Sequence, residues 1–171
     1  RYPWTMDSCG ENSGLYKSLD SGDTWEKMGE GLPEEFGKSG ISVSRANSEI
    51  VYAIIEAEGD KGGLYKSTDA GKKWFQINKN RVLIARSWYY MEVFADPVDE
   101  HAVYVLNASA TQPIDGGRSF PTMPTPHGDN HHLWINPTNN HYMIHSNDGG
   151  SNSSFNARKS CSSKRTQPTT L

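Results

Sequence analysis

Residues Gly14–Trp25 read GLYKSLDSGDTW, and the same unit returns at Gly63–Trp74 as GLYKSTDAGKKW. Each copy starts as a short alternating strand, turns at an Asp and a Gly, and ends on a Trp that begins a return strand. This pattern is typical of a β-hairpin. The Ser and Asp oxygens can accept hydrogen bonds from the N–H groups of the turn, and Gly adopts the dihedral that other residues resist. We therefore assign the unit a role in folding and no chemistry.

Two weaker copies extend the series. Residues 113–120 (PIDGGRSF) keep the Asp, the Gly and an aromatic, whereas residues 154–161 (SFNARKSC) keep neither the Gly nor the Trp. The turn positions lie at intervals of 49, 46 and 41 residues, at Asp20, Asp69, Asp115 and Asn156. A strand-built repeat of about 40 to 50 residues indicates propeller blades.

The repeat predicts an all-β fold, an open partial β-propeller of four-stranded antiparallel blades, two of them complete and two partial. We expect a partial blade at 1–28, complete blades at 29–80 and 81–125, and a partial blade with a frayed tail at 126–171. A closed propeller needs at least about 4 blades, so these units cannot close a ring. The sequence therefore predicts that the natural protein is longer than this stretch.

Composition excludes several classes of protein. The chain has 171 residues, 35% of them hydrophobic, and a net charge of −3. Its mean hydropathy of −0.72 fits a polar, loop-rich β protein. We expect no nucleic-acid partner, since no basic face is present. We also expect no membrane span, and the N-terminus lacks the layout of a signal peptide. Cys9 and Cys161 form no C-x-x-C pattern, and unpaired thiols are favoured over a disulfide.

The repeated unit resembles the Asp-box, or bacterial neuraminidase repeat, with the pattern S-x-D-x-G-x-T-W. The first copy matches every fixed position, and the second departs only at Lys73. The resemblance implies a structural role for the box positions, which are Ser18, Asp20, Gly22, Thr24, Trp25, Ser67, Asp69, Gly71, Trp74, Asp115, Gly117 and Phe120.

The resemblance extends beyond the boxes to nearly the whole chain. Residues Arg86–Tyr90, Val103–Asn107, Thr125–Ile135 and Asn147–Gly150 are similar to the large bacterial Asp-box propeller proteins. These proteins are described as glycosyl-hydrolase-like and share the architecture of the sortilin N-terminal propeller. The resemblance implies an extracytoplasmic or secreted protein. The sequence departs from the family around 108–113 and from 151 onward.

The densest polar cluster contains His127, Asp129, His131 and His132, followed one strand later by Asn147 and Asp148. Strand alternation predicts Asp129 and His131 on one face, and Asn130 and His132 on the other, where an innermost strand begins. His nitrogens and Asp oxygens are good ligands for a divalent metal ion, so we predict a site for such an ion or a polar ligand. Alternatively, these groups satisfy loop backbone and fasten neighbouring blades.

An aromatic run, Trp88-Tyr89-Tyr90, could stack on sugar rings or cover the core. A glycosidase needs two carboxylates across a cleft, and only Asp129 and Asp148 are candidates. No catalytic residue is assigned. The sequence thus predicts part of a propeller scaffold that binds a carbohydrate or protein ligand and joins the remaining blades of its parent chain. The alternative is part of a glycoside hydrolase whose carboxylates are completed by other blades.

Overall fold

The computed structural model describes residues 8–112, 119 and 121–156, together with the backbone of 162–164. This part of the chain consists of β-strands, turns and two short 3-10 helices, Gly59–Lys61 and Arg81–Ile84. No α-helix occurs in it. The all-β fold class predicted from the sequence is confirmed.

The strands form four antiparallel sheets in which strands adjacent in sequence are adjacent in space. The first sheet contains β1 (Leu15–Lys17) and β2 (Glu26–Met28). The second contains β3 (Ser39–Val43), β4 (Val51–Ile55), β5 (Gly63–Ser67) and β6 (Trp74–Asn78). The third contains β7 (Glu92–Ala95), β8 (Val103–Leu106) and β9 (Ala110–Thr111). The fourth contains β10 (Asn130–Ile135), β11 (Met143–Asn147), β12 (Gly150–Ser154) and β13 (Ser162–Lys164).

The turn between β5 and β6 is held by side chains of the repeated unit. The Ser67 hydroxyl donates to Asp69 Oδ1 at 2.7 Å and accepts from the Gly71 N–H at 2.9 Å. Asp69 Oδ1 also accepts from the Lys73 N–H at 2.9 Å. The Trp74 indole N–H donates to the Gly71 carbonyl at 2.8 Å. Two side-chain acceptors and one indole thus satisfy the polar backbone that the tight turn leaves without sheet partners.

The turn between β1 and β2 repeats the same hydrogen bonds. Ser18 donates to Asp20 and accepts from the Gly22 N–H, both at 2.7 Å. Asp20 accepts from the Thr24 N–H at 2.9 Å, and the Trp25 indole donates to the Gly22 carbonyl at 3.0 Å. The two copies of the unit therefore fold into the same turn, each joining a pair of antiparallel strands.

Both turns contain two successive residues with positive φ. The first of the pair is Ser21 (63°) or Ala70 (59°), and the second is Gly22 (105°) or Gly71 (92°). A φ near 60° is accessible to a small L-residue at some cost, but the larger values favour glycine. This requirement explains why the Gly recurs while the residue before it varies.

The sheets pack against one another through the alternating faces of their strands. Strand β4 is buried on both faces. Tyr52 and Ile54 join a core cluster shared with the third sheet, and Val51, Ala53 and Ile55 join one shared with the first. A third cluster lies between the third and fourth sheets, where Leu106 contacts the group that contains Leu133. The period of two along each strand thus builds a stack of sheets with a core at every junction.

Among the described residues the four sheets contain two, four, three and four strands in chain order. Residues 162–164 give the fourth sheet its last strand by pairing with β12, although they have no strand pattern in the sequence. The predicted box residues Asp115, Gly117 and Phe120 lie outside the described residues, so this turn stays a prediction.

The worn fourth copy keeps one feature of the turn. Ser154 donates to Asn156 Oδ1 at 3.3 Å, which is the counterpart of the Ser-to-Asp bonds in the first two copies. Residues 157–161 of this copy lie outside the described residues. The unit boundaries predicted after residues 28, 80 and 125 stay predictions.

Among the residues that the structure places, no helix is both long and apolar enough to cross a membrane.

The two copies of the turn offer a matched pair for measuring how much the Ser hydroxyl contributes. Ser67 is fully buried, whereas Ser18 is partly exposed. We expect Ser67→Ala to lower the free energy of unfolding by about 1–3 kcal/mol, because the buried Gly71 N–H loses its acceptor. Ser18→Ala should cost about 1 kcal/mol or less, since water replaces the lost hydroxyl. Urea denaturation measures both, and equal losses would contradict the role assigned to burial.

Candidate functional site

The predicted site lies where the first strands of three sheets begin. The first strands of the second, third and fourth sheets are β3, β7 and β10. Lys38, Tyr90 and Asp129 lie within two residues of the starts of these strands. These strand starts are close together, because the Lys38 ammonium donates to the Tyr89 carbonyl at 3.0 Å and the Arg86 guanidinium pairs with Asp129. We call the surface that they form the upper face.

The segment 81–90 carries the aromatic run to this face. It starts with a turn of 3-10 helix in which Asn80 caps the Val82 N–H at 3.0 Å and Leu83 and Ile84 are buried. The segment then turns back, with the Tyr90 N–H donating to the Arg86 carbonyl at 2.9 Å. Its buried end fixes the position of the exposed aromatic side chains that follow.

Glu56 anchors this segment to the second sheet. Its carboxylate accepts from Ser87 Oγ at 2.6 Å, from Ser8 Oγ at 2.6 Å and from the Lys38 N–H at 3.0 Å. Burial by itself would raise the pKa of Glu56, but the hydrogen bonds from Ser8, Ser87 and Lys38 outweigh it and lower the pKa. Glu56 is therefore held as a carboxylate that joins the start of β3 to the aromatic segment.

His131 and Asp148 form the first pair of the site. His131 Nε2 lies 2.5 Å from Asp148 Oδ1, and both side chains are partly exposed. The ring of His131 is also edge-on to two tyrosines, with centroids 4.9 Å from Tyr90 and 6.2 Å from Tyr89. The predicted polar cluster and the aromatic run, considered separately in the sequence, therefore occupy one place.

Asp129 is bound by a different partner. Arg86 Nη1 lies 2.5 Å from Asp129 Oδ1, so this carboxylate joins an ion pair across two sheets. Asp129 has a φ of 52°, and its N–H donates to the Ala108 carbonyl at 3.1 Å. Its backbone and side chain thus both connect the start of β10 to the third sheet.

The predicted alternation over residues 129–132 is wrong, because a β-bulge interrupts the strand. In the register of β10 with β11, Asn130 faces Asn147 and His132 faces Ser146, which leaves His131 as the extra residue. Asn130 is fully buried, whereas His132 is exposed, with its ring edge-on to Phe94 at 5.1 Å. The bulge is what turns His131 toward Asp148 on the upper face.

Asn130 fulfils the alternative interpretation of the cluster, which is to fasten neighbouring sheets. Its side-chain amide donates to the Ala108 carbonyl at 3.1 Å, and its backbone N–H donates to the Asn107 carbonyl at 3.2 Å. Asn107 in turn donates to the Leu83 carbonyl at 3.2 Å. A chain of buried amides therefore joins β10, the third sheet and the aromatic segment behind the site.

His127 and Asn147 lie at the margin of the pair. His127 Nδ1 is 3.0 Å from the Gly128 carbonyl, and its ring lies against Gly149, where a Cβ would approach it to 3.0 Å. Asn147 Oδ1 accepts from the Gly149 N–H at 3.0 Å. Both residues therefore shape the turn that holds Asp148.

The predicted divalent metal site finds no matching geometry in the described part of the chain. This part contains no group of three or more His, Cys, Asp or Glu residues placed to hold a metal ion. His131 and Asp148 supply two donors, and Asp129 is paired with Arg86 instead. The residues present therefore do not fit a metal centre of three protein ligands.

Sequence reasoning missed Arg86, Lys38 and Glu56 as parts of the site. Arg86 and Asp129 are 43 residues apart, and Lys38 and Tyr89 are 51 apart. The repeat itself could have found Lys38, because Lys38, Tyr90 and Asp129 hold similar places at the starts of successive first strands. No local pattern marks Arg86 or Glu56.

The ring of Tyr90, which meets His131 edge-on, belongs to a neutral phenol. Burial, with a contribution from Glu92, raises the pKa of Tyr90 to about 12.

Comparison by sequence finds no matching family model and no matching curated protein. Comparison by structure finds β-propeller proteins. An ancestral GH74 enzyme has a TM-score of 0.63 at 14% identity, with 89% of this chain and 21% of that chain covered. The GH74 enzyme of Niastella koreensis has a TM-score of 0.60 at 16% identity, covering 87% and 26%.

A third structure, YCF48 bound to a D1 peptide, has a TM-score of 0.54 at 16% identity and covers 84% of this chain and 45% of that chain. The chain thus spans about a fifth to under half of the length of these proteins. At these identities the likeness shows the fold alone. The fold is a partial β-propeller, in agreement with the prediction.

Glu56 offers a test of how the aromatic segment is anchored. Since its pKa is lowered below the ordinary 4.5 in the folded state, its contribution to stability is present above that value and is lost as the pH falls through the folded pKa. We expect Glu56→Gln to lower the urea midpoint at pH 7, and the difference from the unmodified chain to shrink below about pH 4.5. Hydrogen exchange at 86–90 should accelerate.

Glu58→Gln is the control, because Glu58 is an exposed glutamate two residues away. It should leave both the midpoint and the exchange unchanged. A midpoint difference for Glu56→Gln that stays constant from pH 7 to pH 3 would contradict the ionised anchor.

Proposed function

We propose that this chain is part of an Asp-box β-propeller that serves as a binding scaffold, with its ligand site on the upper face. The Asp-box resemblance and the shared geometry of the two turns support the assignment to this repeat family. The boxes act in folding, because their Ser and Asp oxygens are engaged by the turn itself. The same resemblance supports an extracytoplasmic location, which fractionation of the producing cells with an antibody to the chain would test.

The observation that carries the proposal is a pair of exposed aromatic rings beside paired charges. Trp88 is 59% exposed and Tyr89 is 48% exposed, and their rings lie 5.9 Å apart at a tilt of 49°. Large aromatic side chains bury much surface when they can, so exposed and anchored ones indicate a surface that a ligand covers. The pairs Arg86–Asp129 and His131–Asp148 supply donors and acceptors at its edge.

A polypeptide ligand fits this surface. Trp, Tyr and Arg are the residues that most often dominate the energy of protein interfaces, and Trp88, Tyr89 and Arg86 supply all three within one anchored segment. The structure of YCF48, whose fold this chain resembles, contains a bound D1 peptide. A carbohydrate would use the same rings as stacking platforms and the same charged groups as hydrogen-bond partners.

The second candidate function is a piece of a glycoside hydrolase, favoured by the similarity in fold to two GH74 enzymes. Such an enzyme needs two carboxylates that face each other across a cleft, one of them with a raised pKa. Asp129 and Asp148 are the carboxylates of the site, and each is paired with a cationic or titratable partner. Catalysis would therefore need carboxylates from further blades, and the binding function needs none.

Replacing the exposed rings tests the binding site. Arrays of unstructured peptides and of oligosaccharides provide the probes, and calorimetry then measures the best-bound member of each. We expect Trp88→Ala combined with Tyr89→Ala to weaken binding about tenfold or more, the effect of removing aromatic anchors. Trp134→Ala is the matched control, since it removes an exposed Trp from β10 away from the upper face.

Equal losses from the double variant and from Trp134→Ala would show that binding is not on the upper face. Binding that survives the double variant would contradict the proposal. Release of reducing sugar from an oligosaccharide that Asp148→Asn abolishes would favour the hydrolase instead.

A further inference from the structure

Two buried asparagines face each other in the fourth sheet, behind the upper face. Asn130 begins β10, Asn147 ends β11, and the two residues are direct cross-strand partners. Asn130 is fully buried and Asn147 is 7% exposed. Opposed residues of an antiparallel pair place their side chains on the same face of the sheet, with Cβ atoms about 5 Å apart. The two side-chain amides are therefore neighbours in a place that bulk water does not reach.

Each side-chain amide is bonded to the protein at one end, and these bonds fix which atom is nitrogen and which is oxygen. Asn130 Nδ2 donates to the Ala108 carbonyl at 3.1 Å and to the Asn107 carbonyl at 3.4 Å, and a carbonyl can only accept. Asn147 Oδ1 accepts from the Gly149 N–H at 3.0 Å, and an N–H can only donate. The opposite ends are therefore Asn130 Oδ1, which is an acceptor, and Asn147 Nδ2, which is a donor.

These two opposite ends have no hydrogen-bond partner in the part of the chain that the structure describes. A buried polar atom without a partner is costly, so such atoms are nearly always paired with protein or with ordered water. The two atoms complement each other as donor and acceptor. However, Asn130 is held by the third sheet and Asn147 by the turn after β11, and the direct bond between them is not made. A third group between them would satisfy both.

The chemistry of the two atoms determines which group fits. The N–H donors of Asn147 Nδ2 would repel a cation, and Asn130 Oδ1 would repel an anion. An apolar side chain would satisfy neither atom. A water molecule donates to an oxygen and accepts from an N–H at the same time, and it bridges polar atoms that lie about 5–6 Å apart.

The polar pair is not a general feature of the sheets. In the second sheet, the residue that ends the second strand is Ile55, which packs in the core cluster shared with the first sheet. The fold therefore accepts an apolar side chain at the position that Asn147 holds in the fourth sheet. The pair also has a particular place in the chain, because Asn130 directly precedes His131 and Asn147 directly precedes Asp148.

We infer that one water molecule is bound between Asn130 and Asn147 as a resident part of the fold. It donates a hydrogen to Asn130 Oδ1 and accepts one from Asn147 Nδ2, so both buried atoms are satisfied. This bridge joins β10 to β11 immediately before the residues that form the His131–Asp148 pair. It does not depend on whether the upper face binds a polypeptide, a carbohydrate or neither.

The test is NMR of the ¹⁵N-labelled 171-residue chain, which detects cross-peaks between water and the side-chain NH₂ group of Asn147. A resident water gives NOE and ROE cross-peaks of opposite sign, whereas rapidly exchanging water gives the same sign. We expect opposite signs at Asn147. Asn107 is the control within the same spectrum, because it is also buried but donates to the Leu83 carbonyl at 3.2 Å and accepts from the Ala108 N–H at 2.7 Å. It should show no resident-water peak.

Variants extend the test to the energy of the bridge. Asn130→Leu should remove the water peak at Asn147, because the water loses its acceptor. Asn130→Leu and Asn147→Leu should each raise the unfolding equilibrium constant about tenfold or more, since each leaves the opposite amide without its bridge. The double variant should raise the constant by less than the product of the two single effects. Relaxation dispersion of water ¹⁷O should count one long-lived water fewer in the double variant than in the unmodified chain.

The unmodified chain decides the question even where a variant does not fold. Absence of a resident-water peak at Asn147 would overturn the inference. Non-additive variants would then indicate a direct bond between the two side-chain amides, and additive variants would indicate that they act independently. An equal resident-water peak at Asn107 would also contradict the inference, because it would show hydration of the whole junction and not a bridge at one site.

Discussion

The carboxylate and hydroxyl network of the repeated turn is the constraint on which this fold depends. One Ser oxygen and one Asp carboxylate take up the N–H groups of a turn that has no sheet partners. This network lowers the pKa of Asp69, chiefly through the Lys73 N–H and the Ser67 hydroxyl, so the carboxylate stays charged and strongly accepting. This turn directs the Trp74 ring into the junction between two sheets, where the ring is buried. Local hydrogen bonding thus sets the hairpin and places the ring, which the neighbouring sheet then covers.

Features set by residues that are close in the sequence could be predicted, and features set by contacts between sheets could not. The turn is decided within eight residues, so the hydrogen bonds of Ser67 and Asp69 to the turn could be predicted from their chemistry. The alternation over residues 129–132 could not, because a bulge at His131 is set by packing of the whole strand against its neighbours. The contacts of Arg86 with Asp129 and of Glu56 with Ser87 join sheets, and no local pattern encodes them. The short pairing strand at 162–164 has no alternating pattern and is defined by its partner β12.

The opposite ends of the first strands show how the fold fastens its sheets. Asp96, fully buried just after β7, accepts from Tyr104 at 2.9 Å and from Asn140, in the turn between β10 and β11, at 3.1 Å. Such groups are consumed by structure, as Asn130 is on the upper face. The pairs at Asp129 and Asp148 also join separate parts of the chain, but they are partly exposed and lie beside uncovered aromatic rings. This exposure is the reason for assigning them to the proposed ligand surface.

Burial in this fold is decided by neighbours and not by local sequence. Trp25 and Trp74 occupy the same turn with the same hydrogen bonds, yet one is 63% exposed and the other 3%. In a stack of repeated units, each sheet contacts only the sheets beside it, so stability is a sum over junctions. The contribution of a repeated side chain to stability therefore depends on the place of its unit in the stack. Trp134 and Phe155 on the fourth sheet are exposed for the same reason as Trp25 on the first, because no further sheet covers them among the described residues.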